Sequence, residues 1–261
     1  MTDPVVEADE IPRLANPRLL DVRDASAFET RPVEGARRVP VEAWIDAARS
    51  AEASFGNLGY WQDQIAALGL SDEDTAVVFD DGRMTEAARV WFVLQFFGAR
   101  AVVVNGGWPA LDRAAFARPA PSARADAAFT ATSGAGRVGL VDRQALKDGL
   151  RETAVFDART RQEFDGSDLR KNARGGHLPG ARSLPHEDLL EGGRLRPAAA
   201  LRALMEAAGF RSGDRIVTHC DGGGRAALAA IAAVRAGLAH VEVYYLSFSD
   251  WAKDESCPIE R

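Results

Sequence analysis

Arg215-Ile-Val-Thr-His-Cys-Asp-Gly-Gly-Gly-Arg225 runs directly into Ala226-Ala-Leu-Ala-Ala-Ile-Ala-Ala-Val-Arg-Ala236. Its first five residues form a short, mostly apolar run that reads as a buried strand. The alanine-rich run reads as a helix, ended by Gly237. Between them, Gly222, Gly223 and Gly224 let the backbone curl tightly, because glycine tolerates positive φ. Strand, tight loop and helix in this order are the building unit of a parallel α/β sheet. In open sheets of this kind ligands gather at the carboxyl ends of the strands, and Cys220 stands at such an end. A curled loop turns successive N–H groups inward as an anion nest. The helix beginning near Arg225 adds the positive end of its dipole. Both favour thiolate over thiol, and both would hold an anionic sulfur species made there.

The same alternation occurs twice. Leu19-Leu-Asp-Val-Arg23 matches Val155-Phe-Asp-Ala-Arg159 at an offset of 136, and Glu34-Gly-Ala-Arg-Arg-Val-Pro40 matches Pro179-Gly-Ala-Arg-Ser-Leu-Pro185 at 145. Ala76-Val-Val-Phe-Asp80 matches Ile216-Val-Thr-His-Cys220, and Trp108 matches Phe248, both at 140. The order is kept and the offsets drift by a few residues, as loop insertions produce. Strands are expected at 76–79 and 101–104 with a helix at 86–97 between them, and in the second half at 154–157, 215–219 and 241–245 with helices at 197–208 and 226–236. The expected fold is α/β, two tandem domains each with a mainly parallel sheet and helices on both faces. The expected boundaries are 1–115 and 138–261, with a linker at 116–137 whose Ala, Pro, Ser, Gly and Arg content suits an exposed segment.

Bulk composition narrows the function. A chain of 261 residues, 46% hydrophobic and 27% charged, is of ordinary globular type. Its net charge of −6 argues against a broad nucleic-acid surface. No apolar run reaches the ~18 residues of a membrane helix, and the acidic N-terminus lacks a signal peptide's basic and apolar regions, so a cytoplasmic protein is expected. Two cysteines and four scattered histidines make neither a disulfide scaffold nor a zinc-ligand pattern. No metal or cofactor is expected.

The second half resembles a rhodanese domain. The resemblance rests on Asp157-Ala-Arg159, on Gly176-His-Leu-Pro-Gly-Ala181 and on the Cys220 loop, with a looser match at Tyr244-Tyr-Leu-Ser-Phe-Ser-Asp-Trp251. With the repeat, the likeness extends to the tandem-domain thiosulfate and 3-mercaptopyruvate sulfurtransferases and covers nearly the whole chain. In that family the second domain usually carries the cysteine. Here Asp80 takes the matching place in the first half, and Trp108 with Gly106-Gly107 matches the domain-closing motif. Aspartate forms no persulfide, so the first half should be silent, stabilising the fold and walling the site. The resemblance implies two half-reactions: Cys220 takes sulfur from a small-molecule donor as a persulfide, and a thiol or cyanide acceptor removes it. A monomer without nucleic-acid or membrane partners is expected, the repeat already forming a pseudo-dimer.

The loop departs from familiar members of that family. The thiosulfate type usually has basic residues after the cysteine, and the mercaptopyruvate type a Gly-Ser/Thr-Gly-Val pattern. Here Asp221, Gly222, Gly223, Gly224 and Arg225 line the candidate donor site, with one acidic and one basic end. Arg170 and Arg174, with Lys171 between them, are further candidates for pairing with a donor carboxylate. Arg170 best matches an arginine that the mercaptopyruvate type uses in this way, and Asp165 stands where a second would be. Asp157 and His177 are expected to support the site by hydrogen bonds. His219 should point away from Cys220, and Cys257 is expected to be incidental. Two other readings remain: a phosphatase or arsenate reductase on the same fold, whose loop has five residues between cysteine and arginine instead of four, and a non-enzymatic sulfur carrier or regulatory module.

Overall fold

The computed structural model describes residues 3–113 and 128–261. The chain divides into two units, Met1–Arg137 and Val138–Arg261. In the first, strands β1 (Val5–Val6), β2 (Pro17–Asp21), β3 (Arg37–Arg38), β4 (Thr75–Phe79) and β5 (Arg100–Val104) form a parallel sheet in the order β1-β5-β4-β2-β3. Its helices are α1 (Ala25–Thr30), α2 (Val41–Arg49), α3 (Leu58–Ala67), α4 (Thr85–Phe96) and α5 (Gly107–Arg113). The second unit has β6 (Gly139–Leu140), β7 (Ala154–Asp157), β8 (Arg182–Ser183), the small antiparallel hairpin β9 (Leu190–Glu191) and β10 (Arg194–Leu195), then β11 (Arg215–His219) and β12 (His240–Val243). Its helices are α6 (Arg143–Asp148), α7 (Arg161–Asp165), α8 (Ala198–Ala207), α9 (Gly224–Arg235) and α10 (Ser247–Trp251). Its parallel sheet runs β6-β12-β11-β7-β8. Strand for strand this is the order of the first, so the internal repeat read from the sequence is a repeat of topology.

Side-chain alternation along each strand builds a core on both faces of each sheet. In the first unit Val77 and Phe79 of β4 join Val102 and Val104 of β5, Ile11, and Leu111 of α5 in one buried cluster. Helix α4 packs on β4 and β5 but contributes nothing to that cluster, so it covers the opposite face. In the second unit Val155, Val217, Phe248 and Trp251 form the equivalent cluster, and α9 packs against β11 and β12 outside it. Helix α9 is buried from Gly224 and Ala226 through Val234, as an all-round apolar helix must be. It begins two residues earlier than its alanine run suggests, because Gly224 is already helical, and so its N-terminus lies within the glycine loop.

Part of the expected linker is not exposed. Phe129 and Ala131 are buried, the Thr130 N–H donates to Asp72 Oδ1 at 2.9 Å, and the Thr132 N–H donates to the Phe97 carbonyl at 3.0 Å. One aromatic ring is enough to dock this stretch on the first unit despite its polar flanks. Residues 114–127, the remainder of the linker and its approach, lie outside the described residues.

Gly107 and Ser247 occupy the same place in the repeat and share a left-handed backbone, φ +59° and +60°. A Cβ on Gly107 would meet Gly82 N at 2.7 Å and Asp80 O at 2.8 Å. Gly107→Ala is therefore expected to destabilise the protein by roughly 1–3 kcal/mol, read as a lower midpoint in denaturant unfolding with unchanged slope.

Candidate active site

Cys220 follows the last residue of β11, the central strand of the second sheet, and is buried. The Gly223 N–H donates to Cys220 Sγ at 3.0 Å, made possible by the Gly223 φ of +102°. The Cys220 N–H donates to Ser247 Oγ at 3.1 Å, and that hydroxyl lies 3.8 Å from Cys220 Sγ. The Phe248 and Ser249 N–H groups donate to the Cys220 and Asp221 carbonyls. The sulfur thus sits where a curled loop, a helix N-terminus and a hydroxyl converge.

The first unit has a strand-to-helix loop at the same place, with a different occupant and a different backbone: positive φ falls at Gly82 and Met84, where the second unit has it at Gly223. Asp80 accepts the N–H groups of Gly82 (2.9 Å), Met84 (3.0 Å), Glu86 (3.2 Å) and Ala87 (3.2 Å). Burial pushes the Asp80 carboxyl's pKa up against the pull of these donors. A strand-to-helix loop at this place can therefore gather several backbone donors on one acceptor group.

The carboxylate of Glu163 meets Arg225 in a two-pronged ion pair, Nη1–Oε2 2.6 Å and Nη2–Oε1 2.8 Å. Burial alone would raise the Glu163 pKa, but the Arg225 guanidinium and the Thr160 N–H bring it down to about 2. The Asp221 carboxylate accepts from Asn172 Nδ2 at 2.7 Å, which ties the 169–172 turn to the loop. Arg170 sits in that turn, exposed, with φ +52° and its own N–H on Asp168.

Arg174 is committed elsewhere. Its guanidinium donates to the backbone carbonyls of Ala252 (3.0 Å), Cys257 (2.9 Å), Trp251 (3.1 Å) and Asp254. Its five N–H donors suit this clasp of the chain's last residues, and this corrects its expected place at the substrate. His177 is likewise a tie: its ring stacks on Phe164 at 3.8 Å between centroids, Nδ1 lies 3.0 Å from the Phe164 carbonyl, and its backbone pairs with Glu260.

Asp157 braces the site from behind. Both its oxygens accept from Arg159, at 2.9 and 2.6 Å, and the Arg159 guanidinium lies 3.9 Å from the centre of the Phe248 ring, next to Ser247. His219 Nε2 is 3.3 Å from Asp157 Oδ2, outside hydrogen-bond geometry. Burial acts to raise the Asp157 pKa, yet His219 and Arg159 hold it well below the usual carboxylate range. The first unit repeats the brace, Asp21 with Arg23 at 2.5 Å and Arg23 over Trp108 at 5.2 Å. Cys257 is buried, and burial with Asp254 pushes its thiol pKa up.

Glu163, Ser247 and Asn172 escaped the sequence reading. The signal for Glu163 was the capping pattern Thr160-x-x-Glu163, which the structure forms. Ser247 could have been found from its match to Gly107 across the repeat. Among the described residues no group of three or more His, Cys, Asp and Glu is placed to hold a metal ion, and no helix is long and apolar enough to cross a membrane.

A buried cysteine on a glycine loop between a parallel strand and a helix, in a twice-repeated five-stranded unit, defines a class of protein. The Rhodanese-like domain family matches residues 6–114 and 142–254, and the chain belongs to it. It is 24% identical to the 3-mercaptopyruvate sulfurtransferase of Escherichia coli (strain K12) over 95% of this chain and 90% of that one. It is 27% identical to the thiosulfate sulfurtransferase of Gallus gallus over 88% and 81%. Among solved structures it superposes on the Tum1 protein of Saccharomyces cerevisiae with a TM-score of 0.79 at 19% identity, covering 93% and 90% of the two chains. It also superposes on the anaerobic ergothioneine biosynthesis enzyme of Chlorobium limicola, at 0.84 and 19%, covering 99% and 70%. At the level of the family, the chemistry of its relatives is sulfur transfer.

Proposed function

We propose that the second unit is a sulfurtransferase that carries sulfane sulfur on Cys220. The supporting observation is the Gly223 N–H donated to Cys220 Sγ where the loop enters the N-terminus of α9. In the first half-reaction the Cys220 thiolate attacks the outer sulfur of thiosulfate or the thiol sulfur of 3-mercaptopyruvate. The donor's bond to that sulfur breaks, and sulfite, or the enolate of pyruvate, leaves with the electron pair. The loop then holds a persulfide anion. In the second, cyanide or a thiolate attacks the outer sulfur, the S–S bond breaks, and its electrons return to Cys220. Neither step calls for a metal or an organic cofactor, and one copy of the chain suffices. The first unit is catalytically silent, since Asp80 offers no sulfur.

Intact mass after incubation with each donor tests the reading: a gain of one sulfur atom is expected. No gain with either donor, together with hydrolysis of a phosphate ester, would sink it in favour of a phosphatase. No gain and no hydrolysis would leave a binding module. Arg225→Ala leaves the Glu163 carboxylate unpaired beside the donor site, so its KM for thiosulfate is expected to rise roughly tenfold. An unchanged KM removes Arg225 from the site.

A further inference from the structure

The Cys220 loop is fastened on two sides. On one, Asn172 Nδ2 donates to the Asp221 carboxylate at 2.7 Å. On the other, the N–H groups of Phe248 and Ser249 in α10 donate to the Cys220 and Asp221 carbonyls at 3.0 and 3.1 Å. Arg174 joins the two sides. It lies two residues beyond Asn172, and its guanidinium donates to the carbonyls of Trp251, the last residue of α10, and of Ala252, Asp254 and Cys257 just after it. Loop, Asn172, Arg174 and α10 thus form a closed ring of hydrogen bonds with Cys220 in it. The first unit reaches the same strand order without the residues such a ring needs. When the offset of 145 is extended, Glu29, Arg31 and Pro32 stand where Arg174, Gly176 and His177 do. The match holds in space, since Arg23 Nη2 donates to the Arg31 carbonyl as Arg159 Nη2 does to that of Gly176, both at 2.8 Å. A glutamate carboxylate has no donors for backbone carbonyls. Proline lacks the N–H that His177 gives to the Glu260 carbonyl at 2.8 Å, and a Cβ on Gly176 would collide with that same oxygen. The ring is therefore an addition to the fold, made in the unit that has the cysteine.

We propose that Arg174 is a positioning residue for sulfur transfer: it locks the 169–172 turn to α10 and so fixes the Cys220 loop, with the Gly223 N–H aimed at Cys220 Sγ. The inference rests on the persulfide reading of Cys220. The guanidinium is occupied by backbone carbonyls, so its effect reaches the donor only through the loop. A step that aims one sulfur at another is sensitive to displacements of about 1 Å. Opening the ring at either link, Arg174 or Asn172, frees the loop to make such displacements, and a second cut adds little. The loss falls on the chemical step and not on capture of the donor. It is the same for thiosulfate and for 3-mercaptopyruvate.

The test is single-turnover sulfur uptake, followed by intact mass, over a range of thiosulfate and of 3-mercaptopyruvate concentrations. Arg174→Ala is expected to slow persulfide formation at saturating donor roughly tenfold, with every donor the wild type accepts, while the half-saturating concentrations stay within about twofold. Asn172→Ala is expected to do the same, and the double variant to be no slower than either single one. A merely structural clasp would lower Tm and leave these rates alone. A guanidinium that bound a donor carboxylate would raise the half-saturating concentration of 3-mercaptopyruvate alone. Either result overturns the proposal, and so do effects of the two substitutions that multiply. Asn172→Ala leaves the clasp intact and decides the matter if Arg174→Ala does not fold, an unmoved rate refuting the ring. No persulfide on the wild type with either donor refutes the transferase reading itself, whereas a persulfide formed at an unmoved rate in both variants refutes only the role of Arg174.

Discussion

Cys220→Ser is expected to lose sulfur uptake by at least ~10³-fold while remaining folded. The replacement is nearly isosteric, its oxygen can still accept the Gly223 N–H, and Ser247 can still accept from its backbone. What disappears is the nucleophile: a hydroxyl in the same nest ionises far less readily than a thiol and cannot form a persulfide. The measurement is a single-turnover reaction with thiosulfate followed by intact mass. A gain of one sulfur in the variant would mean that Cys257 carries it. Cys257 is a poor rival, since its thiol is buried, its ionisation is opposed, and its carbonyl is clasped by Arg174.

Asp157→Ala is expected to destabilise the second unit by about 3–5 kcal/mol, because Arg159 is left as a buried charge without its carboxylate. The effect should appear as a fall in Tm of roughly 10 °C or more. It should also appear in pH dependence. The Asp157 carboxyl is held below its unfolded value of 3.8, so its contribution is full above that value and is lost as pH falls below it. The variant should therefore lose less stability on acidification than wild type. A variant that melts within a degree or two of wild type would show that the Arg159–Phe248 contact alone carries the brace.

Much of this was legible in the chain before any coordinates. Gly222-Gly223-Gly224 between an apolar run and an alanine run can scarcely be anything but a strand–loop–helix, and the drifting offsets of the repeat became two sheets of one strand order. The partners of the loop were not legible, for a physical reason. Glu163 reaches Arg225 from 62 residues away, and Asn172 reaches Asp221 from 49. Periodicity and propensity describe neighbours within a few turns and say nothing of such distances. Arg174 misled for the related reason that a guanidinium donates to backbone carbonyls as well as to carboxylates, and only the path of residues 251–257 shows which it meets. Phe129 shows the same limit in the linker, where composition spoke for exposure and a single ring overruled it.

The carboxyl of Asp80, gathered by four backbone N–H groups, bears on how readily the first copy could be given a sulfur site. A residue without an acceptor at position 80 would leave these four amides idle, and the fold would suffer. Aspartate satisfies the four amides of this loop, so the residue at the cysteine position also secures the structure of the first copy. Across the repeat, Ala27 stands where Glu163 does and Thr85 where Arg225 does. A cysteine at residue 80 alone would bring a thiol without those charged neighbours and would leave backbone donors that Asp80 now satisfies short of an acceptor. Turning the first copy into a sulfur carrier therefore takes several coordinated changes and not one.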